Sequence, residues 1–290
     1  MGYVLGLASA MFYSLASILF RIGQRTRPDD DGQLVTNFVN AVLLGMLALF
    51  ITWQPWSTSG FIALVAGGIS GTVFGRFALL RGIRLVGPTR GGTFQAATPI
   101  PAAIAGWIIL NESISVLEAV GGAISIFGLV QIIRSRATQS DASKTPLQHY
   151  LIIAAAPVFF AIAVVLRKWG LERLPGAVGG AFIGSAAGLV VMSMIDVARG
   201  KLSPTVIKTS MTEPAWPFIG AGVVSAAALI TQFRALVLIE AWVIGILVGT
   251  VAIWTPFFSY VFLRGEETIT VRLLGYIGVV FAGVVMIAAV

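Results

Sequence analysis

Arg76 is the residue of this sequence whose chemistry most needs explaining, because it stands inside a long run of apolar residues. A charged side chain buried in a membrane is costly, so it marks a functional site by default. A guanidinium can bind a carboxylate or a phosphate through two parallel hydrogen bonds. The alternative is that the side chain reaches an aqueous interface or pairs with backbone carbonyls. We therefore treat Arg76 as a candidate anchor for an anionic ligand.

A group of uncharged polar side chains also interrupts the apolar runs. Within lipid such groups must face the interior of a helical bundle or a wet cavity, where their hydrogen bonds can be satisfied. Hydrogen bonding between helices explains each one taken alone, whereas the group as a whole favours a ligand cavity. One aromatic residue, Trp254, either lines this cavity or packs against other side chains. The candidate cavity residues are Asn37, Asn40, Gln95, Thr98, Gln232 and Trp254.

Prolines stand in two of the apolar runs, Pro99 and Pro101 in one and Pro256 in another. A proline inside a helix removes a backbone hydrogen bond and kinks the helix. Such breaks can bind a ligand or act as hinges, although prolines also occur in plain membrane helices. Because Pro101 and Pro256 occupy matching positions in a duplication described below, we favour a gating role.

The carboxylates of this sequence stand mainly in the joints between apolar runs. Glu112 and Glu267 each come just before the start of a helix, where the helix dipole favours a negative charge. Ser115 and Glu118 have the spacing of a capping box. We therefore predict helix caps in these joints, with Asn111 beside Glu112, rather than a relay of protons through the two glutamates.

Catalytic residues, metal sites and cofactors are not expected. The chain has no cysteine and one histidine, so it lacks a thiolate nucleophile, and a histidine-ligated metal or a Ser/His/Asp triad is improbable. An intramembrane enzyme, such as an acyl or glycosyl transferase, would need a convergent acid, base or metal site. The scarcity of histidine and the absence of paired carboxylates in the apolar runs argue against that class.

Membrane helices must position these residues. The chain has 290 residues, of which 57% are hydrophobic and 11% charged, whereas a soluble domain carries about 25% charged residues. About 20 apolar residues cross a bilayer as a helix, and ten such stretches are present. The predicted fold class is all-α, a polytopic membrane bundle of ten helices, here called spans 1 to 10. They cover residues 2–20, 34–52, 61–85, 89–110, 116–134, 149–167, 177–196, 216–237, 241–263 and 271–290.

The ten spans divide into two similar halves. The joint at Asn111–Val116 matches the joint at Glu266–Val271 at an offset of 155 residues, and the same offset aligns Pro101 with Pro256. A polar stretch over residues 135–148 predicts a linker between five-helix repeats at residues 1–134 and 149–290. Because five is odd, the second repeat must be inverted relative to the first. A ligand site is then expected near the midplane between the repeats.

Small residues recur every fourth position in two spans. Span 3 contains Gly67, Gly71 and Gly75, and span 7 contains Gly180, Gly184 and Gly188. Such stripes allow helices to approach closely. We predict packing inside the bundle rather than dimerisation, because ten helices offer many internal partners.

This pattern resembles the drug/metabolite transporter superfamily, specifically ten-helix proteins with two EamA-type repeats. The resemblance rests on the proline of spans 4 and 9 followed by Leu110-Asn111-Glu112 and Gly265-Glu266-Glu267. Asn111 stands where the family usually has glycine. The resemblance implies a secondary transporter but does not name its substrate, and our leading hypothesis is an exporter or exchanger of small polar metabolites such as amino acids or related compounds. It also implies alternating access and a multi-pass protein of the cell membrane, which we expect in a prokaryote.

The expected partners are the lipid bilayer and a small-molecule substrate. No nucleic acid is expected, because the net charge of +7 reports orientation in a membrane protein. The chain is expected to be a monomer or a homodimer. The alternative within transport is a flippase for lipids or lipid-linked sugars, which predicts a cavity open sideways to the bilayer. We expect the substrate cavity to be lined by Arg76, Asn40, Gln95, Thr98, Gln232 and Trp254.

The basic residues are distributed unequally between the two membrane faces. We number each joint by the span that precedes it, so odd-numbered joints lie on one face and even-numbered joints on the other. The face with the even-numbered joints carries four basic residues, namely Arg167, Lys168, Arg173 and Arg234. By the positive-inside rule the richer face is cytoplasmic, which places both termini outside. Ten-helix members of the resembling family usually have both termini inside. The fourteen on the richer face are Arg21, Arg25, Arg27, Arg81, Arg84, Arg90, Arg134, Arg136, Lys144, Arg199, Lys201, Lys208, Arg264 and Arg272.

Overall fold

The described part of the chain is built from helices, without strands, which confirms the predicted all-α class. The computed structural model describes residues 1–26, 32–51, 56–86, 94, 97–134, 146–200, 216–262 and 271–289. Its helices are α1 (Gly2–Thr26), α2 (Gln33–Ala48), α3 (Thr58–Ile69), a π-helical segment (Ser70–Gly75), α4 (Arg76–Val86), α5 (Pro99–Leu110), α6 (Val116–Arg134), α7 (Leu147–Arg173), α8 (Ala177–Ala198), α9 (Trp216–Leu236), α10 (Ala241–Gly249), α11 (Val251–Phe262) and α12 (Val271–Ala288).

Several of these helices have the length and composition of membrane spans. Within the described residues, six helical stretches are long and apolar enough to cross a membrane: Gly2–Gly23, Thr58–Leu79, Leu147–Arg173, Ala177–Ala198, Trp216–Leu236 and Ala241–Phe262. Shorter apolar helices are Gln33–Ala48, Pro99–Leu110, Val116–Ile132 and Leu274–Ala288. The chain is therefore an integral, multi-pass membrane protein, while ten crossings stay a prediction.

Span 3 is not one uniform α-helix. Helix α3 passes into the π-helical segment Ser70–Gly75, and α-helical geometry resumes at Arg76 as α4. A π-helical turn accommodates extra backbone in the helix and is found frequently at functional sites. Gly71 and Gly75 are both buried within this turn. The sequence prediction of a continuous helix over residues 61–85 missed this change of pitch.

The prolines of span 4 stand in the first turn of helix α5. Pro99 is the first residue of α5 and Pro101 the third. The first four N–H groups of a helix have no partner within it, so a proline there loses no helical hydrogen bond. Most of span 4 before Pro99 lies outside the described residues, so a kink of the span at these two prolines stays a prediction.

Span 9 is interrupted six residues before its proline. Helix α10 ends at Gly249 and α11 begins at Val251. Between them the Thr250 hydroxyl donates a hydrogen bond to the carbonyl of Leu247 at 2.5 Å. Pro256 itself lies within α11. The interruption that the structure describes in span 9 thus lies at Thr250, and a kink at Pro256 stays a prediction.

The interior of the bundle forms between the first and second halves of the chain. Helix α1 packs along α9, α3 along α7, and α6 along α12. Helix α2 contacts α8 and α9, and α5 contacts α7 and α10. Large buried side chains from both halves, including Leu44, Leu64, Phe218 and Phe233, fill these contacts. Any site near the midplane is therefore lined from both halves.

The glycine stripes pack inside the bundle, as predicted. A Cβ atom placed on Gly68 would lie 2.6 Å from the Cα of Gly184, so α3 and α8 meet backbone to backbone. A Cβ on Gly188 would lie 2.9 Å from the Cβ of Thr72. Only residues without side chains allow this approach.

The two ends of the described chain lie at one face of the bundle. The Tyr3 hydroxyl donates a hydrogen bond to the Ile287 carbonyl at 3.3 Å. A Cβ on Gly2 would lie 2.7 Å from the side chain of Ile239, which precedes α10. Residues near both termini therefore share a face with the joint between α9 and α10.

Candidate functional site

Arg76 contacts polar side chains of the neighbouring helices. Its Nη1 donates a hydrogen bond to Oδ1 of Asn37 in α2 at 3.4 Å. The Asn37 amide in turn lies 3.3 Å from the sulfur of Met192 in α8. The π-helical segment ends directly before Arg76. Two sequence candidates, Arg76 and Asn37, are thus brought together.

A second polar cluster joins three helices beside the first. The Tyr13 hydroxyl in α1 donates a hydrogen bond to Oε1 of Gln232 in α9 at 3.0 Å. Nη1 of Arg167 in α7 donates to the same oxygen at 3.5 Å. The guanidinium of Arg167 also stands over the ring of Phe233, 5.5 Å from its centroid. These contacts place polar side chains of α1, α2, α4, α7 and α9 inside the bundle, and we call them together the polar region.

The position of Arg167 corrects the sequence prediction, which assigned it to a membrane face. It lies in the interior because α7 continues for six residues beyond it, to Arg173. Arg167 and Lys168 end an apolar run and so look like the charged flank of a span. The apolar residues that follow, Trp169 and Leu171, were the signal that the helix continues. Tyr13 carried no charge to mark it and was also missed.

A small cavity lies beside the Arg167 guanidinium. Its volume of about 20 Å³ is enough for a single water molecule. Its walls come from span 3 and from α7, α8 and α9, and they include two hydroxyl-bearing residues, Thr72 and Ser185. The complete lining is Thr72, Arg167, Ala181, Gly184, Ser185, Leu229 and Phe233.

The remaining predicted cavity residues are distributed more widely. Asn40 is buried, and its Oδ1 has no hydrogen-bond partner in the described chain. The indole N–H of Trp254 is likewise buried without a partner among the described residues. Thr98 is buried and stands at the N-cap of α5, although its side chain makes no capping hydrogen bond there. Gln95 lies outside the described residues.

A much larger groove is apolar. It has a volume of about 520 Å³ and runs between α5, α6 and α10. Its lining contains one polar group, the indole of Trp242, whose N–H has no hydrogen-bond partner in the described chain. The residues around it include Pro99, Ile104, Ile114, Phe127, Trp242 and Ile246.

Glu112 caps a helix other than the one that follows it in sequence. Its Oε1 accepts the backbone N–H of Ala241, the first residue of α10, at 2.8 Å. The same oxygen lies 2.8 Å from Nζ of Lys168. The sequence placed Glu112 at the start of span 5 because the two are neighbours along the chain. The partner in the structure lies in the other half.

The start of α6 is capped by the two residues with capping-box spacing. The N–H of Ser115 donates to Oε2 of Glu118 at 2.7 Å, and the N–H of Glu118 donates to Oγ of Ser115 at 3.2 Å. Asn111 ends α5 with a φ of 54°. Among residues with side chains, asparagine tolerates this left-handed conformation well, which explains how it replaces glycine here. Glu267 lies outside the described residues.

Comparisons with known proteins bear on the whole of this architecture. Residues 1–134 match the model of the EamA-like transporter family. A solved structure, titled only as the crystal structure of a protein, aligns over 99% of this chain and 97% of its own with a TM-score of 0.75. The two sequences are 14% identical, so this likeness shows a shared fold alone. A comparison with curated proteins gives no match.

Proposed function

The chain belongs to the EamA-like transporter family of the drug/metabolite transporter superfamily through residues 1–134, and from that premise we propose that it carries small polar metabolites by alternating access. The coarser statement, a membrane transporter, follows from the family itself. The finer proposal names amino acids or related compounds, moved as an exporter or exchanger across the cell membrane of a prokaryote.

The observation that carries the proposal is the polar region inside the bundle. Tyr13, Arg167 and Gln232 come from three different helices and share hydrogen bonds inside the bundle, and Arg76 of a fourth helix bonds to Asn37. Intramembrane charged residues characteristically mark the path of a substrate or ion. A substrate with polar groups is the kind of ligand that such a region binds best, and Arg76 is proposed to bind an anionic group of it.

The pattern of helix contacts supports the proposed inverted repeats at residues 1–134 and 149–290. The contact of span 1 with span 8 has a counterpart in the contact of span 6 with span 3. The contact between spans 2 and 8 likewise has a counterpart in the contact between spans 7 and 3. Adding five to each span number, with the count restarting at 1 after span 10, converts one contact of each pair into the other. Rocking of two such repeats around a central site is the usual basis of alternating access.

Counterflow in proteoliposomes tests the proposal. Liposomes that contain the purified protein are loaded in turn with a panel of unlabelled amino acids and related metabolites, and entry of the labelled compound is measured. We expect transient accumulation of at least one panel member above that in protein-free liposomes. If no panel member accumulates in liposomes that contain correctly folded protein, the proposed substrate class is wrong.

The groove between α5, α6 and α10 makes a lipid flippase the second candidate. Its volume and apolar walls suit an acyl chain. A flippase must also shelter a polar head group, however, and the lining offers only the Trp242 indole. We therefore rank this candidate second. Movement of a fluorescent phospholipid between leaflets of the same proteoliposomes, without any counterflow, would reverse the order.

A further inference from the structure

Arg167 differs from the other cations of its helix in having no anionic partner in the described chain. Lys168 is bound by the Glu112 carboxylate and the Ile239 carbonyl, at 2.8 and 3.0 Å. Arg173 lies 3.7 Å from Glu172 and stacks on Trp169. By contrast, the guanidinium of Arg167 has one long hydrogen bond to a neutral amide and one aromatic contact. Its Nε is buried without a hydrogen-bond partner among the described residues.

The neighbouring span is shaped to admit this guanidinium. A Cβ on Gly71 would lie 3.1 Å from Nη2 of Arg167, and a Cβ on Gly67 would lie 3.2 Å from its Cγ. Larger residues at these positions would displace the arginine from its present course. Span 3 thus provides a glycine-lined passage along which the side chain reaches the cavity that it shares with Thr72 and Ser185.

A cation held in a membrane protein without a counterion is unfavourable, and an anion that binds beside it removes that cost. The planar guanidinium matches a carboxylate, which can accept two parallel N–H bonds. Thr72 and Ser185 line the same cavity, and their hydroxyl groups can donate further hydrogen bonds. The cavity holds about one water, so a whole substrate requires the spans around it to separate.

We propose that Arg167 binds the carboxylate of the transported substrate, which makes small carboxylates or amino acids in zwitterionic form the preferred substrate class. Tyr13 and Gln232 act as positioning residues. The Gln232 oxygen accepts from both Tyr13 and Arg167 and so fixes the direction of the guanidinium. This inference rests on the proposed transport function, and it adds the chemical group that the site recognises.

The test compares three acids with their amides, which differ only in the carboxylate. L-leucine, L-phenylalanine and L-lactate, and leucinamide, phenylalaninamide and lactamide, are titrated calorimetrically against the purified full-length protein. We expect at least one acid to bind about 10- to 100-fold more tightly than its amide, the range for hydrogen bonds to a charged group. Arg167→Gln should lose that difference. Arg173→Gln, on the same helix but exposed, should retain it.

Thermal stability separates a binding role from a structural one. Arg167→Gln removes a half-buried cation that has no anionic partner among the described residues, so the variant should melt at the same temperature as the unaltered chain or higher. A merely structural arginine would lower the melting temperature on substitution. The inference is overturned if acids and amides bind alike, if no acid binds, or if Arg167→Gln keeps full affinity. If any of these results is found, counterflow of a panel member would still leave the proposed transport function standing.

Discussion

The Nζ of Lys168 lies 2.8 Å from Oε1 of Glu112, and this ion pair links the joint after α5 to helix α7. The same oxygen accepts the N–H of Ala241 and so holds the start of α10. Lys168 also donates to the carbonyl of Ile239, which contacts Gly2 near the amino terminus. One carboxylate therefore connects both halves of the chain at the face where the termini meet.

Glu112→Gln should destabilise the fold. The side chains of Lys168 and Glu112 are only 16% and 7% exposed, and loss of one partner from a buried pair costs about 3–5 kcal/mol. The melting temperature in detergent should fall by several degrees. Glu172→Gln is the control, because the side chains of Glu172 and Arg173 in its ion pair are 48% and 38% exposed. Exposed ion pairs contribute about 1 kcal/mol or less to the free energy of unfolding. Equal effects of the two substitutions would show that the buried pair does not link the halves.

Arg76→Ala should abolish counterflow of the transported compound while the protein stays folded. The reason is that Arg76 lies in the polar region and bonds to Asn37 rather than filling the apolar core. Arg81→Ala is the matched control, because Arg81 lies on the same helix and is exposed. Counterflow and elution volume on size exclusion are measured for both variants. Full transport by Arg76→Ala would remove this residue from the mechanism.

Gly68→Ala should weaken the packing of α3 on α8. The added Cβ would lie 2.6 Å from the Cα of Gly184, and relief of such overpacking costs about 1–3 kcal/mol. Thermal unfolding measures the effect. Gly278→Ala in α12 is the control, since nothing lies within 4 Å of its added Cβ and alanine is the better helix former. A stability of Gly68→Ala equal to that of the control would contradict the close approach.

A reporter fused to the carboxyl terminus should be active outside the cytoplasm. The positive-inside rule predicts this orientation from the basic residues of the odd-numbered joints. Because Arg167 lies inside the bundle, the face with the even-numbered joints has one basic residue fewer than the sequence count gave it. The difference in basic residues between the two faces is therefore larger. Activity of paired cytoplasmic and extracytoplasmic reporters provides the measurement. Activity only in the cytoplasm would favour the usual orientation of the resembling family.

The helical class, the membrane environment and the family could all be predicted from the sequence. Hydrophobic runs of about 20 residues leave few folds other than a helical bundle, because backbone groups in lipid must bond within their own segment. The capping pair Ser115 and Glu118 was equally predictable, because its hydrogen bonds span three residues. These features depend on the order of residues along a single segment.

Only the tertiary structure decided which side chains meet. Arg167 looked like the flank of a span until α7 extended beyond it, and Tyr13 became relevant only through Gln232, 219 residues away. The π-helical segment before Arg76 likewise packs against α7 of the other half, and Glu112 caps α10 of the other half. The sequence by itself determined the helices and the membrane that holds them. Their packing decided the polar site, because contacts between distant segments have no signal within either segment.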